Sequence, residues 1–473
     1  MKFSFRIIVG MLALSLLVSS CRLGKEYQRP TVETPAAFPG SDGVDSSSLA
    51  DLSWKEFFKD PLLQNLIDSG LRFNQDWLVA LNRMAIAERQ MIQGRRLQLP
   101  EASLNVTGNI SRPSDNSLNG ISLNQFLGQS YLENYNAALN ISWEADIWGK
   151  LRGQKQNAML GYLQSAEAVR AFQTRLVADI AQAYFNLLML DEQLAISRNN
   201  LTLTDSFYRA TQMLMEAGLT HSLAVQQAAA QREATAALIP ELEAAIAVQE
   251  NSLQWLTGAL PGTVTRAGQS TYLATDQELK AGLPAALLAR RPDVRSAELS
   301  LRMANNEVGI AQANMYPALN ITAGAGLESF KASNWFSIPN SLFGLAAGGL
   351  VQPLFKRRAL RTQFEIAKLE REQAVIRFRQ SVLQATMEVY NALVQVEKLA
   401  DQQSRISAQA DTLRRAVGSA QYLFRSDMAS YLDVITAQSG ALQAELNRAS
   451  IRQRQNAAVI ELYRALGGGW ENE

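Results

Sequence analysis

Few side chains in this sequence are equipped for chemistry, and those few stand alone. In 473 residues there is one histidine, His221, and one cysteine, Cys21. A multi-ligand His/Cys metal site, a Cys–His nucleophile pair and an internal disulfide all need more than that. No P-loop and no Gly-rich dinucleotide fingerprint follows a strand pattern. The densest charged motif is RRPDVRSAE, 290–298. There Pro292 suits a first helical turn and Asp293 suits the positive end of the helix dipole, so Arg291 and Asp293 read as structure rather than as a catalytic pair. With 45 basic and 44 acidic residues the formal charge is +1. That balance leaves no basic stripe for nucleic acid and no acidic tail. The expectation is a protein that is no enzyme and uses no cofactor or metal.

The cysteine has a context of its own. Lys2 and Arg6 precede an apolar run, Ile7 to Val18, that is too short to span a bilayer comfortably and reads as a signal peptide. It ends in Leu17-Val18-Ser19-Ser20-Cys21, small residues before a sole cysteine, which resembles the lipobox of a bacterial lipoprotein. Cleavage after residue 20 would leave Cys21 as a lipidated N-terminus. The next residue is Arg22 rather than Asp, so inner-membrane retention is not signalled. No later apolar stretch reaches the roughly 18 residues of a spanning helix, so further membrane engagement must use strands.

The elements that would carry such strands follow. After a Pro/Gly/Ser-rich linker (Pro30 to Ser48) comes a short amphipathic segment, Trp54 to Leu71, and then a helix expected over Asn74 to Leu97. In ASLNVTGNIS, Leu104, Val106 and Ile110 share one face with Ser103, Asn105 and Thr107 on the other. A polar loop with Pro113, Asn119 and Gly120 leads to a second alternating run, Tyr135 to Glu144. There Leu139, Ile141 and Trp143 oppose Asn140, Ser142 and Glu144 before Gly149 opens a long helical pattern. The same order recurs: YPALNITAGAGLE, a loop, FGLAAGGLVQPLF, and a second long helix. The last strand alternates less cleanly, because Leu350 falls on its otherwise small or polar face. Lys150–Tyr184 and Lys356–Tyr390 align at a constant offset of 206, and LTHSLAVQQA (219–228) answers MASYLDVITA (428–437) at 209. One unit of strand, loop, strand, long helix, turn and returning helix is thus used twice.

The expected long helices, 150–217 and 356–424, would each reach roughly 100 Å, and their returns, 222–257 and 430–466, about half that. Helices 291–315 and 74–97 have about the missing length. Two-faced strands of about ten residues are the signature of a transmembrane barrel, whose edges must close in lipid. Four strands are too few for one chain; two copies would give 8 and a lumen filled by side chains, and three would give 12 and room for water. A soluble half-buried sheet alternates too, but no short helical segment is left to cover one.

Particular residues carry a family resemblance over essentially the whole mature chain. WEADIWGKLRGQ (143–154), RRPDVRSAE (290–298), YPALNIT (316–322) and ELYRALGGGW (461–470) resemble the outer-membrane efflux lipoproteins, the TolC-like channels of the OprM/NodT kind that serve RND-type pumps. The opening helix WKEFFKDPLLQNLI (54–67) is similar as well. The resemblance implies an α+β membrane protein: a homotrimer with a 12-stranded transmembrane β-barrel, four strands per chain, continued by a long periplasmic α-helical barrel with a mixed equatorial domain. It implies passive transport in the outer membrane, coupled through a periplasmic adaptor protein to an inner-membrane RND pump. The turns would meet the adaptor, with Gly218, Leu219, Thr220 and His221 in the first and Ser426, Asp427 and Met428 in the second. For His221 a solvated turn residue remains the plainer reading. The periplasmic gate falls on Leu432 and Asp433, with Asp427 in a weaker supporting position. A capping or solvated Asp433 remains the competing reading. The second acidic gate position is Thr436, so a two-ring gate is not implied. The barrel–tunnel junction falls on Gly149, Lys150, Lys356 and Arg357. After the fourth strand many relatives have a Gly-rich acidic turn where this chain reads PLFKRRALR, and Lys356, Arg357 and Arg358 there read equally well as solvated basic residues at a helix start.

The resulting division is a signal peptide over 1–20, an N-terminal linker and equatorial segment over 21–73, and a first repeat over 74–258. An equatorial connector over 259–290, a second repeat over 291–466 and a tail over 467–473 follow. Two alternatives stay open: the outer-membrane duct of a type I protein-secretion system, and a lipid-anchored coiled-coil scaffold or adhesin without a pore.

Overall fold

The computed structural model describes residues 23–32, 35, 48–268 and 290–470. Among them the helices are α1 (Trp54–Phe57), α2 (Pro61–Phe73), α3 (Gln75–Arg96), α4 (Leu118–Leu127), α5 (Lys150–Glu216), α6 (Ser222–Leu256), α7 (Pro292–Ala313), α8 (Ala359–Arg425) and α9 (Tyr431–Ala465). The strands are β1 (Glu101–Ser111), β2 (Leu132–Ala145), β3 (Ala318–Ser329) and β4 (Leu342–Val351). The repeat in sequence is a repeat in length. Helices α5 and α8 each have 67 residues, α6 and α9 each have 35, and α3 and α7 each have 22.

Three local expectations need correction. Helix α8 begins at Ala359 rather than at 356, because Arg357 and Arg358 adopt left-handed backbone (φ 47° and 64°) that a right-handed helix cannot continue. The amphipathic segment near Trp54 is two helices, since Asp60 caps α2 by accepting from Leu62 N–H at 2.9 Å and Pro61 takes the first helical position. The polar loop after β1 contains α4, with Ser117 accepting from Gly120 N–H at 3.1 Å and Gly128 closing it at φ 60°.

The chain divides into two compact units. Among the described residues the first holds 23–30 together with Ile86–Leu163 and Leu299–Ile376. Its centre is an antiparallel sheet in the order β1-β2-β3-β4. Directly paired residues share a face. Leu104 pairs with Leu139, and Leu139 with Ala325, so the apolar faces of β1, β2 and β3 coincide. Leu350 pairs with Leu319 and Leu342 with Leu327, so the small-residue face of β4 joins that apolar face instead of the polar one. Leu350 is therefore no exception there; Phe343 and Leu345 on the opposite face are.

The second unit holds the described residues within Thr31–Ala85, Gln164–Glu298 and Arg377–Glu473. Its core buries Tyr184, Tyr463, Phe58, Ile67, Leu187 and Ile460. The two tyrosines bury their rings and satisfy their hydroxyls. Tyr184 donates to Asp60 Oδ2 at 2.6 Å, and Tyr463 donates to the Leu52 carbonyl at 2.8 Å while stacking on Phe57 at 4.1 Å. RRPDVR belongs to this core. Arg291, 5% exposed, bonds Asp293 at 2.6 Å, Glu388 at 2.9 Å and the Ala465 carbonyl at 3.0 Å. A buried guanidinium with every side engaged ties the start of α7 to α8 and α9.

Candidate functional site

The turn α5–α6 and the turn α8–α9 are built on one template. Leu219 N–H donates to the Leu214 carbonyl and Gly218 N–H to the Met215 carbonyl; Met428 N–H donates to the Leu423 carbonyl and Asp427 N–H to the Phe424 carbonyl. Both are helix-terminating motifs closed by one left-handed residue, Gly218 at φ 75° and Asp427 at φ 60°. Asp427 is thus explained by the turn, as aspartate tolerates this conformation better than most residues. Leu219, Thr220 and Met428 belong to these turns, with Leu219 and Met428 exposed. Ser426 Oγ donates back to the Tyr422 carbonyl at 3.1 Å.

The next helices start differently. His221 occupies the N-cap of α6 and makes no side-chain cap bond. Ser430 occupies the N-cap of α9 and forms a full capping box. Its N–H and Oγ both donate to Asp433 Oδ2 at 2.8 Å, and Asp433 N–H donates to Ser430 Oγ at 3.4 Å. Hydrogen bonds from the Ser430 side chain, then from its backbone, hold the exposed Asp433 carboxyl below the usual aspartate range. Asp433 is therefore a capping residue in the single chain and remains ionised and solvent-facing at neutral pH. Leu432 beside it is 53% exposed, and its repeat counterpart Leu223 is 54% exposed. The sequence reading missed Leu223, although the offset of 209 points to it.

Beneath these turns Val434, Phe207 and Ala228 form a small buried cluster, with the Phe207 and Phe424 rings 5.4 Å apart. An apolar groove of about 560 Å³ opens beside it, lined by Leu203, Phe207, Met213, Leu214 and Phe424.

In the other unit each outgoing strand passes into a long helix through a distinct joint. After β2, Gly149 turns at φ 79° and Lys150 Nζ reaches Glu144 Oε1 at 2.6 Å. Asp146 caps α5 by accepting from Leu151 N–H at 3.0 Å and Arg152 N–H at 2.8 Å. The sequence reading passed over Asp146, whose acidic type just ahead of a helix was the available signal. Trp148 braces the joint, donating to the Pro317 carbonyl at 2.8 Å. Leu23 N–H meets the Trp148 carbonyl at 3.4 Å, so the segment following Cys21 is tied to this joint; Cys21 itself lies outside the described residues. After β4, Leu354 and Phe355 are 92% and 87% exposed. Lys356 is exposed, Arg357 and Arg358 follow in left-handed backbone, and Glu365 pairs with Arg361 at 3.2 Å.

Among the described residues no group of His, Cys, Asp or Glu could hold a metal ion, and no helix is long and apolar enough to cross a membrane. Nothing in the turns or joints assembles a nucleophile, base and acid; what they offer is charge, apolar contact and shape.

The family described as outer membrane efflux protein matches residues 66–259 and 283–468. SilC of Salmonella typhimurium, a probable outer membrane lipoprotein, is 27% identical over 468 residues covering 98% of each chain. TtgF of Pseudomonas putida, a toluene efflux pump outer membrane protein, is 30% identical over 477 residues, 98% of this chain and 96% of its own. CusC, a cation efflux system protein of Escherichia coli O6:H1, is 28% identical over 463 residues and 97% of each chain. A solved CusC structure matches with a TM-score of 0.85 at 26% identity, over 95% of this chain and all of its own.

Proposed function

This chain belongs to the outer membrane efflux protein family, and we propose that three copies of it close a 12-stranded barrel through which exported solutes leave the cell. It is an outer-membrane efflux channel component. The observation that carries the assembly is the sheet itself. Four two-faced strands end in two free edges, β1 and β4, and an open edge cannot face lipid. Three copies supply a closed ring wide enough for water.

The helices would continue that ring as a periplasmic tunnel, with the turns at Gly218–His221 and Ser426–Met428 presented to a periplasmic adaptor linked to an inner-membrane RND pump. Leu432 would narrow the closed end, and three copies of Asp433 would form an acidic ring whose mutual repulsion favours opening once the adaptor relieves the surrounding contacts. Asp427 lies in the turn before them. Gly149, Lys150, Lys356 and Arg357 would line the junction of barrel and tunnel. Anchoring at Cys21 is supported by its sequence setting and by the tie between Leu23 and the β2 joint. One relative is named for cations and another for toluene, which supports placing cargo choice in the pump.

The test is purification of the full chain from outer membrane in mild detergent, followed by mass determination and planar-bilayer recording. A mass of three chains with discrete conductance steps is expected. A monomer without conductance would overturn the proposal in favour of a scaffold. Cys21→Ala is expected to abolish labelling by radioactive palmitate, and persistent labelling would refute the anchor. Co-purification with an ABC transporter instead of an RND pump would move the channel to protein secretion.

A further inference from the structure

The register of β4 places large apolar side chains on the wrong side of a simple barrel wall. Phe343 pairs with Gly326, Leu345 with Gly324 and Ala347 with Thr322. On β2, Asn140 pairs with Gly324 and Ser142 with Thr322. Phe343 and Leu345 therefore share the polar face with Asn140, Ser142 and Thr322. A slip of one residue would send both to the apolar face and restore an ordinary pattern.

Both ends of the β3–β4 hairpin oppose that slip. At one end Glu328 N–H donates to the Ser341 carbonyl at 2.8 Å, and Ser341 Oγ donates to the Asn334 carbonyl at 2.6 Å. At the other, Gln352 Nε2 donates to the Met315 carbonyl at 3.0 Å. The glycines opposite matter too. A Cβ at Gly326 would lie 2.1 Å from the Ala137 carbonyl oxygen, so nothing but glycine fits while β2 and β3 stay paired. Phe343 thus has no side chain across it from β3, and Leu345 is 63% exposed.

In the three-copy barrel, on which this rests, the polar face is the lumen and β4 is the edge that meets β1 of the next copy. The polar face of β1 carries Ser103, Asn105, Thr107 and Asn109, which offer Phe343 and Leu345 no apolar partner. Leu345 is left facing water inside the duct, with the half-buried Phe343 beside it on the same face. We infer that Phe343 and Leu345 form an apolar track in the lumen, one per chain, that binds apolar and amphipathic solutes as they pass and leaves small polar ions to the Asn, Ser and Thr surface. Apolar surface is favourably removed from water at such a track, roughly in proportion to the area covered. A transient contact of this kind holds solute strongly enough to enter and weakly enough to leave.

Two measurements test it on the full chain. The sole native cysteine is Cys21, whose labelling in the unsubstituted chain sets the background, so each added cysteine reports one position. Phe343→Cys and Leu345→Cys are expected to react in intact cells with a membrane-impermeant maleimide entering from outside, while Leu342→Cys and Ala346→Cys stay silent. The opposite parity, or silence at 343 and 345, overturns the inference while leaving the barrel standing. Labelling at all four positions overturns the barrel as well. Second, tetraphenylphosphonium is expected to block wild-type single channels, and Phe343→Ser/Leu345→Ser to weaken that block about tenfold, the loss expected for roughly two partly buried side chains. Tetramethylammonium, of equal charge but far less apolar surface, should distinguish the two channels by less than twofold. Unchanged tetraphenylphosphonium block in the double variant, or none in the wild type, would overturn the track.

Discussion

Asp433 has two jobs in this reading, and two substitutions separate them. As the third residue of the capping box it accepts from Ser430 N–H and Oγ; as a carboxylate at the first turn of α9 it supplies charge. Ser430→Ala removes the hydroxyl that accepts from Asp433 N–H and donates to its carboxylate, while keeping the charge. Loss of such a cap costs about 1 kcal/mol. That raises the open population of the first turn of α9 about fivefold. Hydrogen exchange at the amides following Ser430 should quicken by that factor, with the buried Val434 cluster limiting how far fraying runs. Asp433→Asn does the reverse: an amide oxygen still accepts from Ser430 N–H, and the charge is gone. If an acidic ring biases the gate, Asp433→Asn alters single-channel open probability and cation preference at low salt and the difference shrinks at high salt, whereas Ser430→Ala leaves ion preference unchanged. Equal ion preference in wild type and Asp433→Asn at low salt would refute the ring and leave Asp433 as a cap alone.

Acid supplies an independent check. Because hydrogen bonds from Ser430 depress the Asp433 pKa, the stabilisation is fully present above the ordinary aspartate value of 3.8 and is lost as pH falls through the lower folded value. Exchange at the α9 amides should be flat from pH 7 to 5 after correction for intrinsic rates and rise only below about 4, with the rise absent in Asp433→Asn. Gly326→Ala should prevent β2–β3 pairing through its clash with Ala137, while Gly348→Ala, with nothing within 4 Å of its added Cβ, should not; heat-modifiable mobility on gels reads the difference. Arg291→Met should destabilise the second unit by about 3 kcal/mol in denaturant unfolding, because Asp293 and Glu388 lose a buried partner. Arg198→Ala, which breaks an exposed pair with Glu243, should cost well under about 1 kcal/mol.

What could be read from the sequence was what repeats. Period-two alternation in Ala102–Ser111 and Tyr135–Glu144, and three-to-four spacing after Gly149, follow from side chains that must choose between two environments. The equal lengths of α5 and α8, and of α6 and α9, followed from the offsets of 206 and 209. What could not be read was what depends on one backbone angle or one pairing. Helix α4 has five large apolar residues, Leu118, Ile121, Leu123, Phe126 and Leu127, that do not gather on one face, and the signals that make it a helix are Ser117 and Gly128 at its ends. The start of α8 hangs on two arginines in a conformation that arginine rarely adopts. The face of β4 was misjudged because alternation fixes two faces and never says which one joins the neighbour's apolar side; only register does.

The two turns carry this distinction furthest. Their backbone bonds coincide residue for residue at an offset of 209, so the template is inherited from one repeated unit. Their helix starts do not coincide: Ser430 and Asp433 close a box on α9, and His221 leaves the first amides of α6 without a side-chain acceptor. An uncapped start exposes up to four amide donors and frays more readily than a capped one. The α6 end is thus the softer of two otherwise equivalent tips, and the charge lies on the firmer one. Hydrogen exchange at the amides following His221 is therefore expected to run faster than at the matching amides following Ser430.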